Sequence, residues 1–148
     1  MNLLKKIESD LKDAIKSSDT VRSGTLKMLK SDIMYEKAKK GGDLDDEKIL
    51  EVIARAAKKR RESIEEFTKA GRKDLADTES SELVIVESYL PEQLSRDEVE
   101  KIIDAKLAEL GEVTQKDFGK VMGPLMKELK GKTDGAVVKE ILTQKLNK

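Results

Sequence analysis

The stretch DDEKILEVIARAAKKRRESIEEFTKAGRKDLADTESSELVIVESYLP, residues 45–91, decides the fold. Asp45 stands where a helix cap is needed, and Ile49, Ile53, Ala57, Ile64 and Phe67 follow at helical spacing until Gly71 closes the run. A second helix runs from about Asp74 to Tyr89 on Leu75, Leu83, Val86 and Leu90, and Pro91 stops it. Two helices joined across Gly71 to Lys73 read as an antiparallel hairpin. Each carries charge on its apolar face, Arg60 on the first and Glu79 and Glu82 on the second. Arg60 and Glu82 lie at similar distances, roughly eleven residues, on either side of the turn, so Arg60 is expected to meet Glu82 or Glu79. Arg22 shares a face with Leu26, Leu29 and Ile33 and is expected to join the same carboxylates. The reading is a structural ion pair, because an unpaired buried charge costs several kcal/mol. An Arg beside a carboxylate also holds it ionised, which withdraws it from acid–base work. The basic run Lys58 to Arg61 reads as a solvated face paired with Glu62, Glu65 and Glu66.

Outward from the hairpin the helical period continues. Leu4, Ile7, Leu11 and Ile15 trace one helix, and Val21, Thr25, Met28, Leu29 and Ile33 a second beyond the break at Ser17-Ser18-Asp19. On the other side, Ser95 and Glu98 have capping-box spacing at the start of a fifth helix ending at Gly111. A sixth runs from Thr114 to about Lys130, and a short seventh follows Thr133-Asp134-Gly135. The fold class is all-α, with a four-helix N-terminal domain over residues 1–94 and a three-helix domain over 95–148. Nothing alternates with period two.

Composition narrows function. Of 148 residues 41% are charged and 3% aromatic, and Ala, Glu, Lys, Leu and Arg make up half the chain, an alphabet of helix formers. With no Cys and no His there is no thiol nucleophile, no disulfide, no Cys/His metal site and no ordinary neutral-pH proton shuttle. Glycine spacings for a nucleotide loop are absent. Gly42 to Glu47 resembles the acidic start of a calcium loop, but Lys48 and Ala54 stand where a Gly and a Glu are required, so it reads as a helix cap. No catalytic residues, cofactor or metal are expected, and no membrane or DNA partner. No apolar run approaches the roughly 20 residues that span a bilayer, so the location expected is the cytoplasm.

Net charge is zero but polarised: residues 116–148 hold 8 basic and 4 acidic residues, whereas 95–115 hold 3 and 6. Projected on one continuous helix, Lys116, Lys120, Lys127 and Lys130 form a stripe opposite Phe118, Val121, Leu125 and Leu129. Gly119 and Gly123 lie among these lysines although mid-helix glycine costs about 1 kcal/mol relative to Ala. They leave room either for a neighbouring helix or for a phosphate backbone. Lys132 and the free amides expected at the helix start near Asp134 extend the cationic surface.

Several of these residues carry a resemblance. Leu90-Pro91-Glu92-Gln93-Leu94, Phe118 through Met126 and Lys130 through Gly135 resemble the GatB/YqeY family, as do Val21-Arg22 and Glu65 through Arg72. The likeness spans the chain and is nearest to the free-standing YqeY-like members, while the last third is similar to the tail domain of the B subunit of tRNA-dependent amidotransferase. There Leu125, Asp134 and Gly135 replace the Val, Asn and Pro of the subunit's pattern. The resemblance implies a helical domain joined to a three-helix tail that contacts tRNA, and together with the polarised charge it makes Lys116, Lys120, Lys127, Lys130 and Lys132 the expected RNA-binding side chains. It also carries the label of a carbon–nitrogen ligase with glutamine as amido donor, but nothing here corresponds to that subunit's kinase-like cradle, so the chain alone is not expected to be an enzyme. The expectation is a tRNA-interacting accessory factor linked to aminoacyl-tRNA amidation or translation. The alternatives are a protein-interaction scaffold and an accessory component of a glutamine-dependent amidotransferase.

Overall fold

The computed structural model of the protein describes residues 2–147. Among them the chain is all-α: α1 Leu3–Lys16, α2 Thr20–Lys40, α3 Asp46–Lys69, α4 Lys73–Glu87, α5 Arg96–Leu110, a 3-10 turn Gln115–Asp117, α6 Phe118–Leu129 and α7 Gly135–Leu146. The starts follow from short polar caps. Asp19 accepts from the Arg22 amide at 3.0 Å and Asp45 from the Lys48 amide at 2.8 Å, satisfying donors that have no helical partner. Ser95 and Glu98 form the reciprocal capping box. Gly41 and Gly71 take positive φ, 82° and 73°, where α2 and α3 end.

The residues group into two compact units, Met1–Leu90 and Pro91–Lys148. The first unit's core is Ile7, Leu11, Leu26, Leu29, Ile33, Ile49, Ile53, Val86 and their neighbours, drawn from all four helices. The second unit's core is Val99, Ile103, Val121, Leu125, Leu129, Val138, Ile141 and Leu142 from α5, α6 and α7. The division falls after Leu90, ahead of the 94/95 boundary read from the capping box. Residues 91–94 go with the tail because the Leu94 amide donates to the Lys132 carbonyl at 2.8 Å.

The sixth helix is shorter than its apolar period suggests. Thr114 to Asp117 close on themselves instead, with the Asp117 carboxylate accepting from the Thr114 amide at 3.1 Å, so α6 begins at Phe118. At the other end Lys130 leaves the helix at ψ 124°.

Candidate functional site

The ion pairs of the first unit come from its hairpin. Arg60 is 5% exposed, and its Nε lies 3.5 Å from Glu82 Oε2 without hydrogen-bond geometry. Its NH1 donates to the Ala56 carbonyl at 3.2 Å and its NH2 approaches Met28 Sδ at 3.9 Å. Glu79 makes no ion pair or hydrogen bond with Arg60 among the described residues, and Arg22 goes elsewhere: its NH2 lies 3.8 Å from Asp10. Arg60 reaches α2 at Met28, six residues beyond Arg22, so Arg22 lies too near the start of α2 to meet it. Asp10, Lys6, Arg22 and Tyr89 form a second cluster, with the Tyr89 hydroxyl donating to Asp10 at 2.6 Å. Burial, and then this hydrogen bond, push the Tyr89 hydroxyl far above its ordinary value. Nothing in the sequence marked Asp10 or Tyr89. In the basic run, Arg61 pairs across the hairpin with Glu87 at 3.6 Å, whereas Glu65 pairs with Lys69. The run is therefore split between a buried Arg60 and its neighbours and is not one solvated face.

The tail disposes of its charges unevenly. Lys145 on α7 bridges Glu100 at 2.8 Å and Asp104 at 3.1 Å on α5, and these hydrogen bonds hold its ammonium above the ordinary lysine range. Arg96 reaches Glu140 at 3.0 Å from α5 to α7. The acidic α5 thus neutralises cations of itself and α7, and the lysines of α6 are left over. Lys116, Lys120 and Lys127 are exposed and make no ion pair among the described residues. They do not form the continuous stripe expected. Lys116 sits in the 3-10 turn, Lys130 is the C-terminal cap of α6 and Lys132 is half-buried, so only Lys120 and Lys127 share the helix.

Opposite the buried line Val121, Leu125 and Leu129, the outward face of α6 carries Gly119, Gly123, Lys127 and Lys120, all exposed. A Cβ added at Gly119 or Gly123 would meet no atom within 4 Å. Close packing of a neighbouring helix inside the chain is therefore not why these glycines are there. Pro124 is exposed on the same helix and leaves the Lys120 carbonyl without its helical donor. At Gly135 a Cβ would meet only the flexible end of the Met126 side chain, Cε at 2.9 Å, which can move aside.

The loop after α6 is braced. Gln93 Nε2 donates to the carbonyls of Gly131 at 2.6 Å and Pro91 at 2.9 Å, and Pro91 packs 3.4 Å from where a Gly131 Cβ would stand. Gly131 holds a positive φ of 76°. Residues 91–94 and the turn at 131–132, from the segments singled out in the sequence, are thus partners in space. The start of α7 offers less than expected, since the Asp134 carboxylate accepts from the Ala136 amide at 2.9 Å and brings a negative charge to the helix start.

Residues 4–146 match the family described as Yqey-like protein. The chain belongs to the YqeY-like family. Proteins to which this YqeY-like chain is similar include fungal and archaeal ones. It is 35% identical over 105 residues to Altered inheritance of mitochondria protein 41, mitochondrial, of Lachancea thermotolerans, covering 70% of this chain and 55% of that protein. To the protein of the same name from Pyrenophora tritici-repentis it is 27% identical over 146 residues, 97% of this chain and 78% of that one. To a glutamyl-tRNA(Gln) amidotransferase subunit of Methanocaldococcus jannaschii it is 33% identical over 136 residues, 86% of this chain and 20% of that one. The chain thus spans about half the Lachancea protein and a fifth of the archaeal one. Among the described residues no helix of the YqeY-like chain is long and apolar enough to cross a membrane.

Proposed function

We propose that this YqeY-like protein is a non-catalytic accessory factor of the cytoplasm that contacts structured RNA, tRNA foremost, in a process linked to aminoacyl-tRNA amidation or translation. The observation that carries the reading is the outward face of α6, where Lys120 and Lys127 stand beside two glycines that no part of the chain requires. Bare backbone flanked by two ammonium groups lets a phosphate chain approach closely, and Lys116, Lys130 and Lys132 add charge at the two ends of the helix. Two Phe, two Tyr and no Trp favour recognition of backbone and shape over stacking on single-stranded bases. The similarity to an amidotransferase subunit whose name includes glutamyl-tRNA(Gln) supports the choice of tRNA.

The test is tRNA binding as a function of salt for the intact protein and for a variant with Lys120, Lys127, Lys130 and Lys132 changed to Gln. The expected result is binding at low salt, lost in the variant, with the salt slope falling by about one for each phosphate contact removed. No binding at low salt, or equal binding by the variant, removes the RNA reading and promotes a protein-partner role.

A further inference from the structure

Arg60 stands where three helices of the first unit meet. From α3 its guanidinium reaches Glu82 of α4, the Ala56 carbonyl of its own helix and, at 3.9 Å from NH2, the Sδ of Met28 on α2. A guanidinium carries five N–H donors in a rigid fork. Among the described residues only the bond to Ala56 reaches an oxygen with hydrogen-bond geometry, and Nε has no hydrogen-bond partner. The side chain is 5% exposed, so little water makes up the difference. The contact toward α2 is the weakest of all, because a thioether sulfur is a poor acceptor.

Met28 itself is open to 45%. A buried cation with donors to spare therefore touches a side chain that solvent reaches. Met34, on the same helix, offers the comparison: it is open to 42% and makes no hydrogen bond among the described residues.

A hydroperoxide supplies what this contact lacks. The Sδ lone pair attacks the terminal peroxide oxygen, and the S–O bond forms as the O–O bond breaks. The departing oxygen takes up the proton of the attacked one and leaves as an alcohol, or as water from hydrogen peroxide. Sulfur gives up two electrons and the peroxide gains them, which yields the sulfoxide. Its oxygen, on the guanidinium side, stands one S–O bond nearer to NH2 than the sulfur does and enters the ordinary N–H···O range of about 2.7–3.2 Å. The bond it accepts is charge-assisted. Sulfoxides ordinarily loosen a fold by setting a polar group in its core. At Met28 the sign is reversed, because the side chain is already half open and the new acceptor meets an underused cation. We propose that Met28 is an oxidation site for hydroperoxides at which Arg60 binds the sulfoxide oxygen, so that oxidation ties α2 to α3 more firmly. The tie is reversible, since methionine sulfoxide reductases restore the thioether. It belongs to the first unit and owes nothing to the RNA reading.

The chain has no cysteine, so methionine is the sulfur that peroxide meets. In the wild type, peptide mass spectrometry after hydrogen peroxide should find oxygen on Met28, and oxidation of Met34 without Met28 overturns the proposal. Stability is read in the full-length Met34→Leu chain against the Met28→Leu, Met34→Leu chain, each before and after peroxide, with the remaining methionines common to both. The probes are the amides of Leu29, Ile33 and Ile53, all fully buried in the first unit. Oxidation should slow their hydrogen exchange about three- to tenfold in the chain that keeps Met28, beyond any change in the chain that lacks it. Equal or faster exchange overturns the proposal. Arg60→Leu with Glu82→Leu removes both charges together, and there the slowing should vanish. Slowing that persists shows that the oxygen acts without Arg60 and also overturns it. Met28→Gln sets a carbonyl oxygen at the same place without peroxide and should slow exchange relative to Met28→Leu, and the absence of slowing counts against the site in the same way.

Discussion

Gln93 Nε2 donates to the carbonyl of Gly131 at 2.6 Å, tying residues 38 apart in the sequence. The amide of Gln93 holds the peptide between Lys130 and Lys132, and the Leu94 amide holds the Lys132 carbonyl beside it. The loop that carries Lys130 and Lys132 is therefore fixed from outside the loop.

Gln93→Ala should remove the Nε2 bonds to Gly131 and Pro91 and destabilise the second unit by about 1 kcal/mol. Amide exchange at Leu94 and Lys132 should quicken more than at Val138 in the core. Uniform change, or none, would show that the brace does not hold the loop.

Arg60→Met should lower stability by about 1–3 kcal/mol, since it strands Glu82 beside an apolar neighbour. The Arg60→Met, Glu82→Leu double variant should regain most of this, because both partners are then apolar. Denaturant unfolding of the two single variants and the double variant measures the coupling, and additivity within error would remove the pair as a structural element.

Gly119→Ala and Gly123→Ala meet open space, and their backbones are helical, so each should stabilise α6 by up to about 1 kcal/mol. If the bare face admits a phosphate backbone, the same changes weaken tRNA binding. Melting temperature and binding measured on one preparation test both halves, and a stabilised variant with unchanged affinity would relocate the RNA contact.

Tyr89 gives the protein an alkaline signature. Its hydroxyl is raised above 10.0 in the folded chain, first by burial and then by Asp10. A raised value means that this contribution is complete below about pH 10 and is lost as pH rises beyond it, because the unfolded chain ionises first. Stability of the wild type should fall above pH 10 more steeply than that of Tyr89→Phe. Parallel curves in a thermal-melt series would show that the hydroxyl is not held by Asp10.

The sequence by itself determined the class, the helix order, most caps and the family. These depend on short-range relations: apolar residues at a 3.6 period, a polar side chain three positions before an amide, a glycine able to take positive φ. The same local logic put Arg60 and Glu82 on facing sides of a hairpin. It could not fix how far each helix is turned or slid against the other, and that decided that Glu82 meets Arg60, that Glu79 does not, and that Arg22 takes Asp10. Only the tertiary structure showed the lysine stripe broken by the 3-10 turn at Gln115–Asp117 and by the cap at Lys130. A wheel assumes one unbroken helix, whereas Asp117 finds a closer donor in Thr114 and ends that assumption. The fates of the other charges were settled by distance in space. α5 lies against α7 and consumes Lys145, whereas among the described residues Lys120 and Lys127 keep no ion pair and a Cβ at Gly119 or Gly123 would meet open space.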